Sequence, residues 1–262
     1  MRKFLVLILL AGMAFAGWKY RAHLPQLMTH VAKMIGRSGD LGDPARAKSP
    51  KPDPARYQVM REDLQSWREK LAAAHRKAKT PEARKAAEHD ARVVLEAVLP
   101  EMMRCWLGTP WDFHGTAEGP GEDPIACGYF VSTVLQDAGF RLDRYRLAKQ
   151  PSSRILTTFV PRDDCQLMVD VPYETFTRDL TAMEPGIYLV GLDTHVAFLV
   201  VDREGFRFVH SSGANPHCVV DESARDADVL RNSRWRMMAN LTADQDALRK
   251  WLSGQSFAVR EL

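Results

Sequence analysis

Three apolar runs in the second half of the chain restrict its fold more than any other feature. The runs GIYLVGL, HVAFLVVD and GFRFVHS begin at Gly186, His195 and Gly205, and they are rich in the β-branched and aromatic residues that favour strands. The sequence DREG at residues 202–205 is typical of a tight turn and joins the second run to the third as a predicted hairpin. Together with SRWRMMANL at residues 233–241, these runs predict an antiparallel sheet.

Helical patterns come before the sheet. From Tyr57 to Ala74, apolar residues recur at alternating steps of three and four, which is the spacing of one helical face. In a second helix, Thr80 is a candidate N-cap and Pro81 suits the first helical position. Pro100 is expected to bend or break that helix. The chain is therefore predicted to be α+β, with a helical pair at residues 57–104 followed by helices packed on an antiparallel sheet.

Three further helices are predicted within the sheet-forming half. One begins at Cys127 and ends before Gly139, and a short one lies in PSSRILTTFV at residues 151–160. The last, LTADQDALRKWLSG, has Thr242 and Gln245 at the spacing of a capping box and Gly254 at its end.

The N-terminus has the pattern of an export signal. A basic start is followed by a 15-residue apolar run from Phe4 to Trp18, and Ala14 and Ala16 occupy small-residue cleavage positions. Because a membrane-spanning helix needs roughly 20 residues, we expect a signal peptide at residues 1–16, cleaved after Ala16, and a periplasmic or extracellular protein. An N-terminal membrane anchor is the alternative. Residues 17–56 form an exported segment that ends in a flexible linker rich in Gly, Pro, Ser and charge, at residues 36–56.

The formal net charge of +3 is unevenly distributed. Residues 17–104 carry a net charge of +7, and residues 105–262 carry −6. A basic half could associate peripherally with a membrane or cell wall, although a solvated helical face is the favoured interpretation. No basic patch is interleaved with aromatic residues, so no nucleic-acid partner is predicted.

The four cysteines, at positions 105, 127, 165 and 218, form no C-x-x-C motif. In an exported protein, Cys165 and Cys218 are candidates for a disulfide, and Cys105 fits a buried helix position. His210, His217 and Cys218 match no common zinc spacing, so neither a metal nor an organic cofactor is predicted.

Cys127 stands where a loop rich in Gly, Pro and acidic residues meets an apolar helix pattern. The unpaired N–H groups and the positive end of the dipole at a helix start are expected to lower the pKa of a thiol. His195 opens one predicted strand and His210 closes the next, so the hairpin places them at one end. We predict that Cys127 is a nucleophile, His195 its general base and His210 the residue that orients the base. His217, Asp193 and Asn215 are alternatives for the orienting role.

The segments LGTPWDFHG, ACGYFVSTVLQDAGF, THVAFLVVD and FVHSSG together resemble the NlpC/P60 family of papain-like cysteine peptidases. The resemblance extends over about residues 108–215 and implies a papain-like domain at residues 105–262. Carried over by position, it makes Cys127 the nucleophile, His195 the base and His210 the orienting residue. It also implies an oxyanion site formed by backbone N–H groups at the helix start, Gly128 among them, with help from the indole N–H of Trp111. The implied substrate is a peptide bond of peptidoglycan, or another amide-bearing envelope substrate.

The chain departs from the family pattern beside the nucleophile. The family usually has aspartate before the cysteine and serine after it, where this chain has Ala126 and Gly128. We therefore expect slow cleavage of ordinary stem peptides and a preference for a different amide or ester. Cleavage of stem peptides should become faster when Ala126→Asp and Gly128→Ser are introduced together. An acyltransferase or other amidase on the same scaffold, and a non-catalytic envelope-binding domain, are the alternatives to a hydrolase.

Overall fold

The computed structural model describes residues 51–259, so the predicted signal peptide and most of the predicted linker lie outside the described residues. Within this range the chain forms eight helices and a six-stranded antiparallel sheet, with a helical pair at the N-terminal end. The helices are α1 (Pro54–Lys77), α2 (Pro81–Arg104), α3 (Cys127–Asp137), α4 (Arg144–Ala148), α5 (Ser152–Phe159), α6 (Tyr173–Thr181), α7 (Asp228–Asn232) and α8 (Gln245–Ser253). The strands are β1 (Gln166–Val169), β2 (Gly186–Gly191), β3 (Val196–Val201), β4 (Phe206–Ser211), β5 (Val219–Ser223) and β6 (Trp235–Asn240). The α+β prediction is confirmed at this level.

The helical pair begins and ends largely as its caps indicate. Asp53 caps α1 by accepting a hydrogen bond from the backbone N–H of Arg56, so α1 starts at Pro54, inside the predicted linker. Thr80 caps α2 by accepting from the N–H of Ala83. Of the bend or break expected at Pro100, the break does not occur, because α2 continues to Arg104. Proline costs a helix about 3 kcal/mol, but the helix buries apolar side chains on both sides of Pro100, and their burial offsets that cost.

The strands lie in the order β1-β6-β2-β3-β4-β5. The predicted hairpin forms, with Val201 opposite Phe206 and Phe198 opposite Val209. The strand predicted near residues 233–241 is β6, which pairs with both β1 and β2. The edge strands β1 and β5 were not predicted, since their sequences lack a long apolar run.

Each face of the sheet packs against its own set of helices. On one face, alternate residues such as Leu189 and Phe198 join a large apolar cluster with α1, α2, α3, α5 and α8. On the other face, Tyr188 and Leu199 join a smaller cluster with α6 and α7. The helical pair therefore shares its hydrophobic core with the sheet.

The closing helix has a different cap from the one predicted. Asp244, and not Thr242, caps α8 by accepting from the N–H of Ala247. The Thr242 hydroxyl instead accepts from the N–H of Ile187 and donates to Glu96, which ties β2 to α2. Gly254 ends the helix in the left-handed conformation, with φ of 68°, as predicted.

All four cysteines are free thiols. Cys165 precedes β1 and Cys218 precedes β5, at opposite edges of the sheet. Five strand spacings of about 4.8 Å separate those edges, whereas a disulfide needs Cα atoms within about 7 Å, so Cys165 and Cys218 do not pair. None of the helices at residues 51–259 is long and apolar enough to cross a bilayer.

Candidate active site

Cys127 is the first residue of α3, where the sequence places it. The helix is fixed over the sheet by apolar side chains such as Phe130 and Val134, both fully buried. Its N-cap residue, Ala126, has extended backbone angles but no side chain that can accept a hydrogen bond. The N–H groups of the first turn therefore receive no side-chain cap and remain available to other acceptors.

Gly128 is required by a close approach of two backbones. A Cβ atom at this position would lie 2.3 Å from the carbonyl oxygen of Ala148, well inside van der Waals contact. The expectation that Gly128→Ser would restore a missing hydroxyl is therefore corrected: a serine side chain cannot enter without moving α4. Ala126 is not constrained in this way, since it is half-buried and lines an open cavity.

His195 immediately precedes β3, and His210 is near the end of β4. The last pair of the register sets Val209 opposite Phe198, and His210 follows Val209 whereas His195 lies three residues before Phe198. The two histidines therefore lie on a diagonal of the hairpin and not directly across it. Their ring centroids are 4.8 Å apart, and His195 Nε2 lies 2.8 Å from His210 Nδ1. The structure thus brings together the two imidazoles that the sequence singled out.

A fourth polar group, which the sequence analysis missed, continues this chain of contacts. Glu222 on β5 places Oε2 3.1 Å from His210 Nε2. His210 is fully buried, and both of its ring nitrogens are now accounted for. No local motif marks Glu222; only the pairing of β5 with β4, which sets His210 opposite Val220, brings it within reach.

Burial keeps both imidazoles neutral. Desolvation lowers the pKa of His210 to about 3. Desolvation, together with the neighbouring His210, lowers the pKa of His195 well below its ordinary value. The contact between His210 and Glu222 is therefore a hydrogen bond to a neutral ring near neutral pH, and not an ion pair.

The expectation of a lowered thiol pKa at Cys127 was wrong. Burial raises the pKa of the Cys127 thiol, although nearby backbone N–H groups of Val196, Gly128 and Cys127 itself favour the thiolate. The helix start has the effect predicted for it, but desolvation outweighs that effect. A neutral thiol beside a neutral imidazole needs the imidazole to take its proton during attack.

The loop at residues 108–126 brings Trp111 to the same place. Trp111 donates its backbone N–H to the carbonyl oxygen of His217, at 2.9 Å. At the far end of the loop, Ile125 donates to Pro110 and Ala126 donates to Gly115. Because both ends of the loop are fixed by backbone hydrogen bonds, the Trp111 ring lines a cavity that also contains Cys127.

Two cavities meet at Cys127 and His195. One, of about 540 Å³, extends past Ser152 and Trp235. The other, of about 750 Å³, is also lined by Trp111 and Phe113. Cys127, Gly128 and His195 line both cavities, so the thiol and the imidazole lie where the two cavities meet.

The other candidates for the orienting role have other partners or surroundings, although Asp193 lines the smaller cavity together with Cys127 and His195, and Asn215 is exposed. Asp193 accepts hydrogen bonds from the Ser233 hydroxyl and from the Arg234 N–H. His217 has its ring beside Trp111, with 6.4 Å between ring centroids. In the part of the chain that the structure describes, no cluster of three or more His, Cys, Asp or Glu residues could hold a metal ion.

Comparisons with known proteins add no family to this picture. No family model, no curated protein and no solved structure matches the chain.

Proposed function

We propose that this protein is a cysteine hydrolase of the NlpC/P60 type that cleaves an amide bond, with a peptide bond of peptidoglycan as the favoured substrate. One observation carries the proposal: the Cys127 thiol and the His195 imidazole line the same two cavities, and His195 Nε2 is held by His210. A nucleophile, a base and a group that orients the base are the parts that nucleophilic amide hydrolysis requires.

The hydrogen bond between the two histidines decides which nitrogen of His195 accepts the thiol proton. Since His195 Nε2 is bound to His210, Nδ1 is the nitrogen left to accept the thiol proton. As Cys127 Sγ bonds to the carbonyl carbon, its proton moves to His195 Nδ1. The tetrahedral oxyanion is stabilised by N–H groups at the start of α3, including that of Gly128, with the indole N–H of Trp111 as a further donor.

The second half of the reaction restores the thiol. The C–N bond breaks, and His195 donates its proton to the leaving amine, which leaves a thioester on Cys127. His195 then takes a proton from water as the water oxygen attacks the thioester carbonyl. The C–S bond breaks, the carboxylic acid is released, and the proton returns to the sulfur.

The shape of the cleft supports a polymer substrate. Two cavities share Cys127 and His195 but differ in their other linings, so each can hold the part of a polymer chain on one side of the cleaved bond. The linings mix apolar side chains such as Trp235 and Phe113 with polar ones such as Ser152 and Lys149, as in sites that bind peptides through a few placed polar groups.

The test is incubation of the protein with purified peptidoglycan, followed by mass spectrometry of the released fragments. We expect new amine and carboxylate ends with wild-type protein and a loss of about 10³-fold or more with Cys127→Ala. Cys165→Ala is the matched control, because Cys165 lines neither cavity. Peptidoglycan binding without cleavage would indicate a non-catalytic envelope-binding domain, and acyl transfer to an added amine in place of water would indicate a transferase; either result would refute the hydrolase.

A further inference from the structure

Glu222 ends a line of three side chains that leads to the proposed base. His195 Nε2 lies 2.8 Å from His210 Nδ1, and His210 Nε2 lies 3.1 Å from Glu222 Oε2. A neutral imidazole carries one N–H and one lone pair. The proton positions along this line are therefore linked, because each ring that donates at one nitrogen must accept at the other.

Resting on the proposed function, we propose that Glu222 is a positioning residue that sets the tautomer of His195 through His210. An ionised Glu222 only accepts, so His210 carries its proton on Nε2 and offers the Nδ1 lone pair. His195 then donates from Nε2 and keeps the lone pair on Nδ1, which is the form that can accept the Cys127 proton. A protonated Glu222 can donate to His210 Nε2, and the same reasoning then leaves His195 with its proton on Nδ1, unable to act as a base.

The surroundings of Glu222 bring its protonation, and with it the change of the His195 tautomer, close to neutral pH. Burial, reinforced by the negative charges of Asp228 and Asp226, raises the pKa of Glu222 to about 7. The charged and titratable groups that act on Glu222 or bond to it are Arg207 and His210 on β4, Asp221 beside it on β5, Tyr173 on α6, Asp226 in the turn before α7, and Asp228 at the start of α7.

Arg207, whose charge favours the ionised form of Glu222, is bound to a different carboxylate. Arg207 donates to Asp221, with 2.7 Å between Nε and Oδ1, and also to the Asp221 carbonyl oxygen. Arg104 donates to the other oxygen of the same carboxylate. Both arginines are bound to Asp221, and the hydrogen bond to His210 connects Glu222 to the proposed active site.

The direction of the pH effect follows from these assignments. The pKa of His210 is about 3, and burial lowers the pKa of His195 well below its ordinary value. Burial disfavours the charged form of both rings, so Glu222, with a pKa of about 7, is the member of the line that titrates near neutral pH. His195 can therefore act as a base at a pH above the pKa of Glu222, and it loses this ability as the pH falls below that pKa.

Imidazole nitrogen NMR tests the proposal without requiring turnover. In the wild-type protein we expect His195 to be protonated on Nε2 at about pH 8 and to shift toward Nδ1 at about pH 6, with a midpoint near the Glu222 pKa of about 7. In Glu222→Gln the tautomer should not change over this range, because the amide does not titrate. Two results would overturn the proposal. One is a wild-type His195 that is protonated on Nδ1 at pH 8, and the other is a tautomer change between pH 8 and pH 6 that persists in Glu222→Gln.

Alkylation of Cys127 by iodoacetamide gives a second readout. The thiolate fraction of Cys127 falls with pH in every variant, so the readout is the wild-type rate divided by the Glu222→Gln rate. This ratio should fall about tenfold between pH 8 and pH 6, because only the wild type loses an ionised Glu222 over that range. Glu204→Gln, the same change in the exposed β3–β4 turn, is the matched control and should behave as wild type.

The outcomes separate this proposal from the hydrolase itself. A protein that shows the tautomer change but releases no fragment from peptidoglycan would refute the hydrolase and support the role of Glu222. A protein that cleaves peptidoglycan but shows no tautomer change near pH 7 would support the hydrolase and refute the role of Glu222. The wild-type titration needs no variant, so it decides the matter even if Glu222→Gln does not fold.

Discussion

The two sides of the proposed site are built in different ways. The nucleophile comes from the start of one helix, α3, which lies over the face of the sheet that carries the large apolar cluster. The imidazole line runs along the ends of three strands. Along β4, His210 is on the same face of the sheet as Phe206 and Phe208, which belong to the smaller cluster. The His210 ring lies against that of Phe208, with 4.2 Å between their centroids.

This difference separates local from long-range determinants. The position of Cys127 depends on one continuous segment whose apolar pattern fixes the helix and its start. The line from His195 to Glu222 depends on the register of β3 with β4 and of β4 with β5. A shift of one residue in either register would move a side chain to the opposite face. We therefore expect the nucleophile side to depend mainly on local packing, and the imidazole side on burial and hydrogen bonding.

The largest expected effect compares the two histidines. His195→Ala should reduce kcat/KM by about 10³-fold, since both thiol deprotonation and leaving-group protonation lose their imidazole. His210→Ala should cost about 10- to 100-fold, as expected for a residue that only orients another. Turnover of peptidoglycan fragments measures both. Losses of equal size would mean that His210 touches the reacting atoms and is not a positioning residue.

The second prediction concerns stability on the imidazole side. His210 has a pKa of about 3 in the folded protein and an ordinary value near 6.5 when unfolded, so between these values the unfolded state binds more protons. His210 should therefore contribute a loss of stability as the pH falls below 6.5, by at most about 1.4 kcal/mol per pH unit. Glu222, whose pKa is raised to about 7, contributes a gain in the same range, so the test compares the wild type with His210→Gln. Denaturant unfolding at several pH values should show that the variant lacks the His210 contribution; the same pH dependence in both proteins would show that His210 does not carry it.

The third prediction concerns packing on the nucleophile side. In an ordinary helix, replacing glycine with alanine stabilises the fold by up to about 1 kcal/mol. At Gly128 we expect the opposite sign, a loss of about 1–3 kcal/mol, because the new Cβ would lie 2.3 Å from the Ala148 carbonyl oxygen. Thermal unfolding measures the change. A stabilised Gly128→Ala protein would show that α4 is free to move away from α3.

The smallest expected effect is at the neighbouring position. Ala126 has the extended backbone of an N-cap but offers no acceptor. Ala126→Asp should add a capping hydrogen bond and stabilise the protein by about 1 kcal/mol. Ala126→Ser is the uncharged companion and should give a gain of similar size. If neither variant gains stability, the first N–H groups of α3 already have acceptors.

Much of the scaffold could be predicted because its signals are local. Thr80 and Pro81 mark the start of α2, Gly254 marks the end of α8, and the DREG turn joins β3 to β4. Predictions failed where a distant contact changed a local preference. Pro100 remains inside α2 because its neighbours are buried, and Thr242 bonds to Ile187 and Glu96 instead of capping α8.

The sequence by itself placed Cys127 at a helix start and two histidines at adjoining strand ends, since caps, periodicity and a tight turn act over a few residues. Only the tertiary structure decided the protonation of the site. Whether a thiol is charged depends on how deeply the rest of the chain buries it, and here burial raises the pKa of Cys127 against the effect of the helix start. The contact of Glu222 with His210 likewise arises only when β5 pairs with β4, because a hydrogen bond across strands follows from register and not from sequence spacing.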